Sequence, residues 1–184
     1  QACSAFNLSN DRPIIGFCPG AEFGPAKRWP HYHYAALAKK LIDDGYQIAL
    51  FGSAKDNEAG KEIIAALSSE QQAWCRNLAG ETQLEQAVIL IAACKAVVTN
   101  DSGLMHVAAA LDRPLVALYG PSSPDFTPPL SHKARVIRLI SGYHKVRKGD
   151  AAEGYHQSLI DITPERVLQE LNELLTDKTG HEEA

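Results

Sequence analysis

The stretch from Ala96 to Pro121 constrains the fold more than any other part of the chain. A β-branched run, Ala96-Val97-Val98-Thr99, stops at Asn100-Asp101-Ser102-Gly103. A small-residue helical stretch, Leu104 to Leu111, follows, and after Asp112-Arg113-Pro114 a second apolar run, Leu115 to Tyr119, ends at Gly120-Pro121. The pattern reads as strand, polar glycine turn, short helix, strand. Such a turn places Ser102 and Gly103 at a helix start, where outward-pointing N–H groups hold anions. Asp101 and His106 flank the same spot, and a phosphate-bearing ligand is the first expectation.

The same alternation runs through the chain from Pro13. Short apolar strands are expected at Ile14 to Phe17, Tyr46 to Phe51, Cys75 to Leu78, Ala96 to Thr99, Leu115 to Tyr119 and Ala134 to Ile140. Between them lie amphipathic helices. The first begins at Pro30, buries Tyr34, Leu37, Ala38 and Leu41, and closes at Gly45. The second spans Asp56 to Leu67, with Ala59, Ile63, Ile64 and Leu67 inward. Thr82-Gln83-Leu84-Glu85 reads as a capping box for a third helix carrying Leu84, Ala87, Val88 and Ile91 on one face. Thr163 and Pro164 open the last helix, with Val167, Leu168, Leu171, Leu174 and Leu175 inward. The segment from Ser141 to Gln157 reads as loop.

Continuous apolar strands separated by amphipathic helices imply an α/β fold, a doubly wound, Rossmann-like parallel sheet of about six strands covered on both faces. Residues 13–175 form that domain, residues 1–12 read as an unpatterned polar linker, and residues 176–184 as a flexible tail. Ligands of such sheets bind at the carboxyl ends of the strands. Three loops converge there, Gly20 to Trp29, Gly52 to Asp56 and Asn100 to His106, and a fourth, Gly120 to Phe126, closes one side.

Composition narrows the function. With 184 residues and a formal net charge of -4, the chain lacks the basic excess of a nucleic-acid binder. Its four cysteines, Cys3, Cys18, Cys75 and Cys94, form no C-x-x-C pair and read as reduced, mostly buried thiols of a cytoplasmic protein. No apolar stretch is long enough to span a bilayer. The absence of an initiator Met before the polar leader suggests the later part of something longer.

The loops carry the chemistry. The first, Pro19 to Pro30, has neither the G-x-G-x-x-G spacing of a dinucleotide fingerprint nor the Gly-Lys-Ser/Thr of a Walker loop. It does put Lys27 and Arg28 just before a helix start. Lys27 suits a diphosphate as a point charge and Arg28 as a fork, and two solvated loop cations are the bland alternative. Asp56, after the second strand, stands where an acidic group often holds ribose hydroxyls, with Glu58 the competing acceptor. A helix-start carboxylate favoured by the dipole explains either equally well. Ser102 reads as cap and hydroxyl donor, and the Gly103 N–H as a close approach to the ligand. Asp101 repels phosphate, so it suits orienting a hydroxyl, a lysine or a backbone donor. His106, one turn into the helix, is either a ligand contact facing the mouth or a packing residue. No H-x-x-E-H, C-x-x-C or D-x-D pattern points to a protein-held metal. Ser102 is not in G-x-S-x-G and has no evident base. The basic residues His132, Lys133, Arg135, Arg138, Lys145, Arg147 and Lys148 read as a solvated face, or else as a patch for an anionic acceptor or lipid headgroups.

Four stretches together carry a family resemblance: T-N-D-S-G-L-M-H-V-A-A-A-L (Thr99 to Leu111), R-P-L-V-A-L-Y-G-P (Arg113 to Pro121), P-G-A-E-F-G-P-A-K-R-W-P (Pro19 to Pro30) and F-G-S-A-K-D (Phe51 to Asp56). From Pro13 to Leu175 the chain resembles the bacterial heptosyltransferases. The resemblance implies the C-terminal, nucleotide-sugar-binding domain of a glycosyltransferase-B fold. It implies inverting transfer of heptose from ADP-heptose to the inner-core heptose of lipopolysaccharide, with no cofactor. Lys27 would contact the diphosphate, Asp56 the ribose, and Ser102 and Gly103 phosphate oxygens, while Asp101 and His106 would line the donor sugar. The base and the anionic acceptor's site would lie in an N-terminal domain, so this chain alone would bind donor without transferring it. Contact with the inner face of the inner membrane would be peripheral.

Two other readings stay open beside it. One is a non-catalytic nucleotide-binding module of the same fold, and the other a sugar-nucleotide epimerase of the same architecture. A dehydrogenase is disfavoured by the missing glycine fingerprint.

Overall fold

Apolar strands without polar alternation are stable only where both faces of a sheet are covered, and the structure shows this arrangement. The computed structural model describes residues 2–21, 24–122, 124–125, 128–141 and 152–176. In chain order the elements are α1 (Ala2–Ala5), β1 (Ile14–Cys18), α2 (His31–Asp43), β2 (Gln47–Leu50), α3 (Asn57–Ala65), α4 (Ser69–Gln72) and β3 (Cys75–Asn77). There follow α5 (Leu84–Ala92), β4 (Ala96–Asn100), α6 (Gly103–Ala110), β5 (Leu115–Tyr119), β6 (Ala134–Arg138), α7 (Gln157–Ile160) and α8 (Pro164–Thr176). The six strands form one parallel sheet in the order β3-β2-β1-β4-β5-β6. The order reverses between β1 and β4, which creates the crevice where doubly wound sheets bind ligands.

Strand side chains alternate between two cores. Ile15, Phe17, Ile48, Leu50, Val98, Val116 and Leu118 pack under α2, α3 and α8, joined by Tyr34, Leu37, Leu41, Ile63, Val167 and Leu171. Cys18, Phe51, Val97, Leu115, Ala117 and Tyr119 face the opposite side, where α5 and α6 supply Leu90, Ile91, Met105 and Ala108. Burying a side chain of this size contributes about 1.5–3 kcal/mol, so two filled faces account for the scarcity of polar positions in the central strands, where they are confined to the strand ends at Gln47, Thr99 and Asn100. β6 ends at Arg138 rather than Ile140, and as an edge strand it leaves Val136 exposed.

Several local expectations are corrected. The segment read as an unpatterned linker is packed: Leu8 is buried, and Ala2, Cys3 and Phe6 of α1 and its turn lie against the second core. The buried Gln47 side chain fixes it further, donating to the carbonyls of Ser9 and Arg12 and accepting from Ser9 N–H. The cap of α5 lies one residue later than expected, at Gln83, whose N–H donates to Gln86 Oε1 at 2.8 Å. That phase buries Ala87, Leu90 and Ile91 and turns Leu84 outward, where it is 68% exposed. Part of the expected loop from Ser141 to Gln157 is ordered into a packed strap. Tyr155, Leu159 and Ile162 are buried, and α7 begins at Gln157. The expected tail beyond Thr176 lies outside the described residues.

Three cysteines, Cys18, Cys75 and Cys94, are buried, Cys3 is partly so, and all are free thiols. Burial pushes the Cys18 and Cys75 thiols up to about 12 and raises that of Cys94 further. No described helix is long and apolar enough to cross a membrane.

Candidate functional site at the carboxyl ends of the strands

A cleft of about 500 Å³ opens beyond the carboxyl ends of β1, β2 and β4, a size suited to a small-molecule ligand. Its floor is Cys18, Gly20 and Ala21 after β1 and Phe51, Gly52 and Ser53 after β2. Lys55 and Asp56 form one side, Ser102 and Gly103 the other, and Leu84, Leu104 and Val107 an apolar rim.

The Ser102–Gly103 corner is the start of α6. Ser102 occupies the N-cap position with extended backbone (φ -152°, ψ 169°), and its side chain makes no capping bond. Its hydroxyl lies 3.4 Å from Thr99 Oγ1 instead. A Cβ added to Gly103 would have nothing within 4 Å, so space at this helix start is open to a ligand. The positive end of the helix dipole favours negative charge at that place.

Asp56 does structural work as well as lining the cleft. Its Oδ2 accepts from Ser53 N–H at 2.9 Å and Ser53 Oγ at 3.3 Å, closing the turn after β2. Its Oδ1 lies 3.7 Å from Arg28 Nη2. Arg28 also donates to the Ala21 carbonyl at 3.4 Å. Its Nε is buried without a hydrogen bond, the one such side-chain atom among the described residues. Arg28 thus bridges the first two loops, outside the lining of the cleft. Lys27 is the last residue of a 3-10 turn, Pro25–Lys27, and is partly buried; it is not among the residues lining the cleft.

The remaining candidates stand apart from the lining. Glu58 is exposed and pairs with Lys61 at 3.3 Å, as a solvated helix face would. Asp101 is partly buried and His106 exposed, the latter one position before Val107, which does reach the cleft. The structure therefore gathers Asp56, Ser102 and Gly103 around one space, and Lys27, Arg28, Asp101 and His106 are not among its lining residues. Among the described residues no group of three or more His, Cys, Asp or Glu side chains converges to hold a metal ion.

The expected basic face is largely neutralised where it is described. Lys133 pairs with Asp112, and Arg135 with Glu170 and Glu173. Arg138 donates to the carbonyls of Gly120 and Pro121, fixing the start of the fourth loop. Lys145, Arg147 and Lys148 lie outside the described residues, as do Glu22, Phe23 and Phe126 of the loops.

Three features were not anticipated. Lys55 and the exposed Leu84 line the cleft, although nothing in their local pattern marks them. The strap from Glu153 to Ile162 braces the first loop: Trp29 Nε1 donates to the Ile162 carbonyl at 2.9 Å, and His31 N–H donates to Tyr155 Oη. The third is the Asn100 side chain, an amide at 0% exposure in a strand otherwise apolar but for Thr99. A buried amide at the end of an apolar strand is a readable sign of a backbone it must satisfy.

Comparison with known proteins identifies the family. Residues 1–156 match the model of glycosyltransferase family 9 (heptosyltransferase). The chain is 85% identical over 176 residues to lipopolysaccharide heptosyltransferase 2 of Salmonella typhimurium, covering 96% of this chain and 51% of that protein. It is similar to the solved structure of E. coli ADP-heptose lps heptosyltransferase II, with a TM-score of 0.88, 80% identity and coverage of 95% and 50% of the two chains. The structure of E. coli heptosyltransferase WaaC with ADP superposes with a TM-score of 0.70 at 27% identity, covering 94% and 48%. The chain spans about half the length of the curated relatives it matches.

Proposed function

Since the chain belongs to glycosyltransferase family 9, we propose that it is the donor-binding part of a heptosyltransferase that transfers heptose from ADP-heptose to an inner-core heptose of lipopolysaccharide. One observation carries this reading: the open helix start at Ser102–Gly103 and the Gly52–Asp56 loop face the same cleft. That pairing suits a ligand with an anionic centre and a polar ring at one end. The pyrophosphate would lie against the Gly103 amide and the Ser102 hydroxyl, with Lys27 as the neighbouring cation. Asp56 would accept from ribose hydroxyls, while Leu84, Leu104 and Val107 offer an apolar rim to a planar base. Asp101 and His106, which flank Ser102 and Gly103 in sequence, would meet the heptose.

Displacing ADP from the anomeric carbon places negative charge on the departing diphosphate. Amides already aimed at that charge need no reorganisation as it develops, and the helix start and Lys27 together offset it. No residue of this chain is assigned as the base that takes the acceptor hydroxyl's proton. We place that base, and the site for the anionic acceptor, in the part of the relatives outside the match. The working protein would then sit in the cytoplasm, meeting the inner face of the inner membrane peripherally.

Calorimetric titration of the chain with ADP-heptose, ADP and NAD tests the reading. Donor recognition requires ADP-heptose to bind more tightly than ADP by about tenfold, or about 1.4 kcal/mol. Equal affinity for ADP and ADP-heptose would favour a plain nucleotide-binding module, and tighter binding of NAD would overturn the assignment.

A further inference from the structure

The loop that carries Lys27 and Arg28 leaves β1 at Pro19 and re-enters regular structure at Pro30. Both of its ends meet one side chain, that of Asn100. Asn100 Nδ2 donates to the Pro19 carbonyl at 2.8 Å and to the Gly20 carbonyl at 3.2 Å. Asn100 Oδ1 accepts from Trp29 N–H at 3.0 Å and from Tyr34 Oη at 2.8 Å. The side chain is fully buried and its hydrogen-bonding capacity is spent on four partners, none nearer than 66 residues in sequence.

The chemistry explains why an amide stands there. The last paired rung between β1 and β4 is Cys18 with Thr99. One residue further on, the first chain turns away, and Pro19 has no N–H to offer the ladder. A carboxamide carries the same donor and acceptor as a peptide group. Asn100 therefore supplies one more rung from its side chain and holds the diverging loop to β4. The residues that follow it are Asp101, Ser102 and Gly103, so a single intervening residue separates the loop clamp from the proposed anion-binding corner.

We infer that Asn100 is a positioning residue, which sets the cationic loop of residues 19–29 in register with the Ser102–Gly103 corner so that both engage one pyrophosphate. The inference rests on the donor-binding reading above. Tyr34 completes the clamp from α2, and its ring packs edge-on to Trp29 at 4.8 Å between centroids.

The test compares binding of ADP and adenosine to wild type, Asn100→Leu and Tyr34→Phe, together with hydrogen exchange at the Trp29 amide. The ratio of adenosine Kd to ADP Kd isolates what the phosphates contribute. Asn100→Leu keeps the branched shape without the polar atoms, and it should reduce that ratio by about tenfold or more while adenosine binding holds within about twofold. Tyr34→Phe removes one of two donors to Oδ1 and should reduce the ratio by about threefold. Exchange at Trp29 should accelerate in both variants. An unchanged ratio, or equal losses for ADP and adenosine, would overturn the positioning role. If Asn100→Leu does not fold, the Tyr34→Phe ratio decides alone. A wild-type chain that shows no preference for ADP over adenosine would refute the donor-binding reading, and the exchange data would still report whether the clamp exists.

Discussion

Gly20 and Asp56 are in such close apposition that a methyl group on Gly20 would fall inside the Asp56 carboxylate. The loop after β1 and the turn after β2 are thus fitted to each other across the floor of the cleft. Gly52 meets the same side chain, with an added Cβ only 2.6 Å from Oδ2. Asp56 can cap the Ser53 turn and face Arg28 together because the two glycines leave room for it.

Gly20→Ala should therefore cost more than an ordinary loop substitution. Asp56 would have to leave Ser53, breaking the 2.9 Å bond to its N–H. Overpacking of this kind costs about 1–3 kcal/mol. Urea unfolding measures it, and a loss below about 0.5 kcal/mol, the range of neutral surface changes, would show that the fit is loose.

Gly103→Ala should separate binding from stability. Its Cβ would meet no atom of the protein, and Ala is the better helix former by up to about 1 kcal/mol, so the unfolding midpoint should hold or rise. The substitution keeps the amide but puts a methyl group in the open space where the ligand would approach it, so ADP affinity should fall about ten- to a hundredfold, as much as if one hydrogen bond to a charged group were lost. Unchanged ADP affinity would show that the ligand does not closely approach Gly103.

Lys27→Ala, in a full-length protein carrying the proposed transfer activity, should lower the rate by on the order of a hundredfold, as does loss of one preorganised electrostatic donor elsewhere. Assay of heptose transfer at saturating donor measures it. A loss below about threefold would count against leaving-group stabilisation by this lysine.

The buried thiols make a prediction about alkaline pH. Cys75 has its thiol raised from 9.0 to about 12 because burial disfavours the thiolate. Folded and unfolded chains both keep this proton below pH 9, so the thiol has no effect on stability there. Between about pH 9 and 12 only the unfolded chain releases it, and stability falls with a limiting slope of about 1.4 kcal/mol per pH unit. Urea midpoints at pH 7, 9 and 10.5 should fall less steeply in Cys75→Ala than in wild type. Identical slopes would mean that this thiol is not protected.

Much of this architecture was legible in the order of the residues. Runs such as Ile14 to Phe17 and Leu115 to Tyr119 carry no polar alternation, and strands of that kind need cover on both faces. The Thr99 to Gly103 turn announced the helix start that forms one wall of the cleft. The phase of α5 was not legible, because Thr82 with Glu85 and Gln83 with Gln86 are rival caps one residue apart. Burial of Leu90 and Ile91 settled the choice and sent Leu84 to the rim. Nor did the strap from Glu153 to Ile162 show any periodicity. It is held by contacts such as that between Trp29 and Ile162, separated by 133 residues.

What the sequence by itself determined is the sheet, its two faces and the position of the turn from Thr99 to Gly103 at a helix start, because those follow from hydrophobic period and local turn chemistry. Only the tertiary structure decided which charged side chains share the cleft and that Asn100 holds the cationic loop in place. Those outcomes depend on contacts between residues distant in sequence, whose distances and directions exist only once the sheet has closed.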